Sequence, residues 1–125
     1  MAQVIGLGVF YTAQDPAAVK AWYLTVLGLE MEDWGGTALL PEPFAAKPGA
    51  ASVLSVFKTD TTYIAPSTKP FMLNLVVDDL DGMLQRAAAA GVTPTWISEA
   101  DPSGRFAHLL DPEGVKIELW EPAAP

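Results

Sequence analysis

The chain has no cysteine, which excludes disulfides, thiolate metal sites and cysteine nucleophiles and leads us to expect a cytoplasmic address. Charges are few, 18% of residues against 50% hydrophobic, so a packed globular domain is expected rather than a disordered chain. No apolar run approaches the roughly 20 residues that span a bilayer, and no membrane partner is expected. Basic residues are scarce and scattered, seven against fifteen acidic, for a net charge of −8. Such a surface repels a phosphate backbone, so nucleic acid is not an expected partner, and it mildly favours neutral or cationic ligands. The opening residues, Met1-Ala2-Gln3-Val4-Ile5-Gly6, put no basic region ahead of the apolar ones, unlike a secretory leader. At 125 residues, one domain over 1–125 is expected.

What is present comes twice. A β-prone run, Val4–Thr12, precedes Asp15-Pro16, and then Val19, Trp22, Tyr23, Val26 and Leu27 fall on one helical face before Gly28. Asp15 suits the N-cap, Pro16 the first helical position and Gly28 the stop. In the second half Phe71–Val77 is β-prone, Asp78-Asp79 supplies a cap, and Leu80, Met83, Leu84, Ala87 and Ala88 repeat the same offsets before Gly91. Short strands are expected after each helix: Leu29–Trp34, Thr37–Leu40 and Ser52–Lys58, then Thr93–Ser98, Arg105–Leu110 and Val115–Trp120. Gly35-Gly36 and Asp111-Pro112-Glu113-Gly114 read as hairpin turns, Pro41–Ala51 as a loop and Thr59–Pro70 as the link between halves. The pattern predicts an α+β fold of two β-α-β-β-β modules, about residues 3–60 and 69–122, whose sheets enclose a ligand cleft.

In this order and spacing, Asp15-Pro16…Ala21-Trp22-Tyr23…Leu27-Gly28-Leu29, Val76-Val77-Asp78-Asp79-Leu80-Asp81…Ala90-Gly91-Val92 and Asp111-Pro112-Glu113-Gly114…Ile117-Glu118-Leu119 resemble the vicinal oxygen chelate superfamily. That superfamily includes glyoxalase I, bleomycin-resistance proteins, fosfomycin-resistance enzymes and extradiol dioxygenases. The resemblance covers essentially the whole chain and implies a concave mixed sheet of glyoxalase type and a homodimer. It also implies where a divalent metal would sit: a His before the first helix cap, a Glu or Gln late in the first module, a His opening the second, and a Glu in the last strand. Gly8 stands at the first of these positions and a residue near Met72 at the third, and Ser52-Val53-Leu54-Ser55-Val56-Phe57 offers neither carboxylate nor imidazole. Only Glu118 matches. One carboxylate cannot hold a transition metal, so neither cofactor nor metal is expected.

Glu118 shares a strand face with Lys116 and Trp120, which makes it a candidate base or ligand-orienting carboxylate. His108 is the only histidine; if Leu110 pairs with Lys116 it lies opposite Glu118, and a shift of one residue separates them. Trp34 and Trp96 are the candidate cleft walls, with Phe57 and Tyr63 counted alongside, while Trp22 belongs to the core. Arg105 is a candidate clamp for a carboxylate or phosphate. Two functions follow as expectations. One is metal-free sequestration of a small hydrophobic or aromatic, possibly cationic, molecule in a tryptophan-walled cleft. The other is a lyase, isomerase or dioxygenase acting on a small oxygenated metabolite through Glu118 and His108.

Overall fold

Helix α1, Pro16–Leu27, starts where the Asp15 side chain accepts the Ala18 amide at 3.2 Å, with Pro16 at the first position. It stops at Gly28, whose φ of 68° lets its amide reach the Leu24 carbonyl at 3.0 Å. These bounds come from a computed structural model that describes residues 1–125. A short helix α2, Pro41–Ala46, lies within the segment expected to be a loop; prolines near its start and two closing alanines favour it. Strand β1 spans Met72–Val76, and helix α3, Leu80–Ala89, is capped by Asp79, which accepts the Gly82 amide at 3.0 Å. Strands β2, Trp96–Ile97, β3, Gly104–Leu110, and β4, Lys116–Pro122, complete the chain's regular structure.

The four strands form one mixed sheet in the order β1-β4-β3-β2, with β1 parallel to β4 and the other pairs antiparallel. This is the β-α-β-β-β order expected of the second half. Residues alternate across β4, so Ile117 and Leu119 face α1 and α3 while Lys116 and Glu118 point to the other side. The core is Val19, Tyr23, Val26 and Leu27 of α1, Leu80 and Ala87 of α3, and Ala107, Leu109, Val115, Ile117 and Leu119 of the sheet. Each large side chain fully buried there contributes about 1.5–3 kcal/mol.

The terminal turn joins the two halves. Asp111 Oδ1 accepts the Glu113 and Val115 amides at 2.9 and 3.0 Å, while Oδ2 accepts the hydroxyls of Tyr11 and Tyr23, each at 3.0 Å. Burial comes first among the causes that raise the pKa of both tyrosines, and Asp111 adds to it, so both hydroxyls stay protonated as donors. With this turn closed, Leu110 pairs with Lys116 and His108 stands directly across from Glu118.

The first half departs from the expected repeat. Val4–Thr12, Leu29–Trp34, Thr37–Leu40 and Ser52–Lys58 form no strands, and Met1–Phe10 is exposed throughout. The Gly35-Gly36 turn does form, through the Glu32 amide to the Gly36 carbonyl at 2.8 Å, but no hairpin extends from it. Apolar, β-branched composition expresses fitness for a paired, half-buried surface, and within one chain these runs find no neighbouring strand.

Candidate functional site

Across the sheet from the helices, Glu118 of β4 is the hub. Its Oε2 is 2.8 Å from His108 Nε2 on β3 and accepts the Tyr63 hydroxyl from the linker; its Oε1 accepts Asn74 Nδ2 of β1 at 2.8 Å. His108 and Glu118 are both buried. Burial acts to raise the Glu118 pKa, but the hydrogen bonds from His108, Tyr63 and Asn74 outweigh it, and the carboxyl sits below its ordinary value. Burial, then the bond to Glu118, raises the Tyr63 hydroxyl, which therefore remains a donor.

Two strand positions before Glu118, Lys116 is buried on the same face and donates to the carbonyls of Tyr63 at 2.6 Å and Ala65 at 3.0 Å. Its Nζ lies 5.1 Å from the centre of the Tyr63 ring. Thus the linker, expected only to connect the halves, lies across the sheet and seals its polar face. Beside it opens a cavity of about 330 Å³ lined by Thr62, Tyr63, Ala65, Pro66, Thr95, Trp96, His108 and Lys116. Trp96 packs on the His108 ring at 4.6 Å between centroids, and Tyr63 meets it edge-on at 5.5 Å.

The Glyoxalase-like domain family profile matches residues 8–120. The chain belongs to this family. The superfamily resemblance read from its motifs is borne out, and so is the α+β class. Among solved structures, the glyoxalase-like chain is similar to TioX from Micromonospora sp. ML1, at 19% identity and a TM-score of 0.56, over 97% of this chain and 98% of that one. It is similar also to TnmS3, an antibiotic binding protein from Streptomyces sp. CB03234, at 20% identity and a TM-score of 0.52, over 94% and 100%. No curated protein matches it.

Within this glyoxalase-like domain the expected site residues divide. His108, Tyr63 and Trp96 line the cavity, Glu118 holds the first two from behind, and Phe57 meets Tyr63 edge-on at 5.5 Å. Trp34 does not join them: it is exposed, its indole donates to Glu32 at 3.1 Å, and it borders a separate acidic concavity. The reason is that its run never becomes a strand. Arg105 also points elsewhere, pairing with Asp81 at 2.9 Å on the exposed start of α3. Being an odd number of residues from His108, it emerges on the opposite face of β3.

The donor set does not fit the family's divalent ion. Gly8 brings no donor and lies in the exposed N-terminal run, Met72 is a thioether, and both Glu118 oxygens are already engaged by protein donors. No three His, Asp or Glu side chains gather within reach of one ion. The sequence reading missed the cavity-lining Thr62, Ala65, Pro66 and Thr95, and with them Asn74 and Lys116. Each of the last two is a polar residue inside an apolar strand run, Leu73-Asn74-Leu75 and Val115-Lys116-Ile117, which was the signal available.

Proposed function

We propose that this protein binds a small hydrophobic or aromatic molecule in the cavity between Tyr63 and Trp96, without a metal and without chemical conversion. The observation that carries the reading is the cavity itself: aromatic walls and a polar floor of His108 and Lys116, with Glu118 behind the imidazole and held by three protein donors. The antibiotic binding activity of TnmS3, a protein of similar fold, agrees with sequestration. Titration with naphthalenemethanol, followed by tryptophan fluorescence, is expected to give saturable quenching that weakens about tenfold in Trp96→Ala, the scale of one lost aromatic contact. Unsaturable quenching, or equal affinity in the variant, would mean that the molecule does not bind in this cavity.

Catalysis is the second reading, as a lyase, isomerase or dioxygenase on a small oxygenated metabolite. The contact between His108 and Glu118 favours it, since a carboxylate that holds one imidazole nitrogen orients the other toward a substrate. Elemental analysis separates the readings: stoichiometric metal in the wild type, lost in Glu118→Gln and in His108→Ala, would sink the metal-free one.

The protein works, in this proposal, as a cytoplasmic homodimer. Val4, Phe10 and Val56 are 93, 95 and 90% exposed in β-prone runs that pair with no strand, and β1 leaves its outer edge unpaired. A second copy offers such runs a pairing partner. Sedimentation at micromolar concentration should give twice the monomer mass, and Val56→Asp should shift it toward the monomer. A monomeric wild type would end the dimer proposal.

A further inference from the structure

The chain's net charge of −8 favours a cation at long range, but what lines the cavity points the other way. Solvent ions screen distant surface charge over roughly 8 Å, so the groups in contact with a ligand decide its sign. None of the lining residues is a carboxylate, and one of them, Lys116, is an ammonium only 5% exposed. The Arg105–Asp81 ion pair lies elsewhere, and in the His108–Glu118 contact it is the imidazole, not the carboxylate, that lines the cavity.

Lys116 has three N–H donors. Two go to the Tyr63 and Ala65 carbonyls, which compensate part of its lost hydration without cancelling its charge. Glu118, the nearest carboxylate along the strand face, does not contact it, because His108, Tyr63 and Asn74 occupy its oxygens. His108 spends Nε2 on Glu118 and makes no hydrogen bond through Nδ1 within the protein, yet no polar side-chain atom is sealed without a partner, so Nδ1 opens outward. The cavity therefore combines a buried ammonium that no carboxylate contacts, an imidazole nitrogen with bonding capacity to spare, and an indole face.

We propose that the ligand of this cavity is a flat aromatic anion, its carboxylate or phenolate oxygen set against Lys116 and its ring stacked on Trp96. The inference rests on the binding function proposed above and adds the charge of the ligand. Burial lowers the Lys116 pKa, with Glu118 opposing in part, and an anion in the cavity would raise it again. Stacking on Trp96 and Tyr63, 46 and 41% exposed, supplies the apolar share of the affinity.

The test uses three probes of one size and different charge: naphthoate, naphthylmethylammonium and naphthalenemethanol, titrated into the wild-type protein by calorimetry. Naphthoate is expected to bind about tenfold tighter than either of the others, the scale of one charge-assisted contact. Lys116→Met should abolish that preference, and Lys116→Arg should keep it. Equal or tighter binding of the ammonium or the alcohol by the wild type would overturn the inference and leave the binding function standing. A preference that persists in Lys116→Met would overturn the role of Lys116. No binding of any probe by folded wild type would overturn the binding function and this inference together. The wild-type comparison needs no variant to fold, so the sign of the ligand is decided in either case.

Discussion

Glu118→Ala is expected to lower the unfolding free energy by about 3 kcal/mol, the scale of removing one partner from a buried charged network. The change strips Tyr63, His108 and Asn74 of their common acceptor and leaves the Lys116 ammonium without the nearest negative charge. Glu118→Gln, which keeps the shape and one acceptor oxygen, should cost only about 1 kcal/mol. The pH dependence gives a second signature. The carboxyl's pKa is lowered in the folded state, so its contribution is present above the unfolded value of roughly 4.3 and is lost as pH falls through the lower, folded value. Urea unfolding between neutral pH and strong acid should therefore show the wild type losing stability that Glu118→Gln never had. Equal slopes in both proteins would mean that the carboxylate is not held in its charged form by its three donors.

Truncation of the core beneath the same strand should be of similar size. Leu119 is fully buried at the middle of β4, with β1 on one side, β3 on the other and the helices over it. Leu119→Ala removes methyl groups that no mobile neighbour can replace and is expected to cost about 3 kcal/mol. For a domain whose whole stability is about 5–15 kcal/mol, this approaches unfolding. Leu24→Ala, on the half-exposed side of α1, should stay within about 0.5 kcal/mol. Denaturant midpoints with unchanged slope would check both, and a Leu119→Ala as mild as Leu24→Ala would mean that the helices do not pack on β4 as described.

The parts of the fold that were legible are those coded locally. Asp15, Pro16 and Gly28 bound α1, and Asp79 caps α3, because caps and glycine stops act within a few residues of where they stand. Strands β1, β3 and β4 were legible for the same reason, within two residues at each end. The expected strands of the first half were not realised, since a strand needs a paired edge and Ser52–Lys58 docks on no edge of the sheet. At the site, Glu118 and His108 were readable as candidates but their contact was not, because one step of register would have turned His108 to the helix side. Lys116 was noted only as a neighbour of Glu118, and nothing in the linker's composition announced that Tyr63 and Ala65 would fold back over that lysine.

The amino-acid order by itself determined the two capped helices, the closing turn at Asp111–Gly114 and the single carboxylate in the apolar run Ile117-Glu118-Leu119. These rest on backbone preferences and on residue chemistry that no distant contact can alter. Tertiary structure decided the rest: the register that sets His108 against Glu118, the linker laid over the polar face, and the burial of Lys116 without a carboxylate. Those depend on which segments meet in space, where desolvation and hydrogen bonding act together. Composition alone suggested a cationic ligand because it sums charge over the whole surface, whereas the cavity presents only the few groups that the fold turns into it.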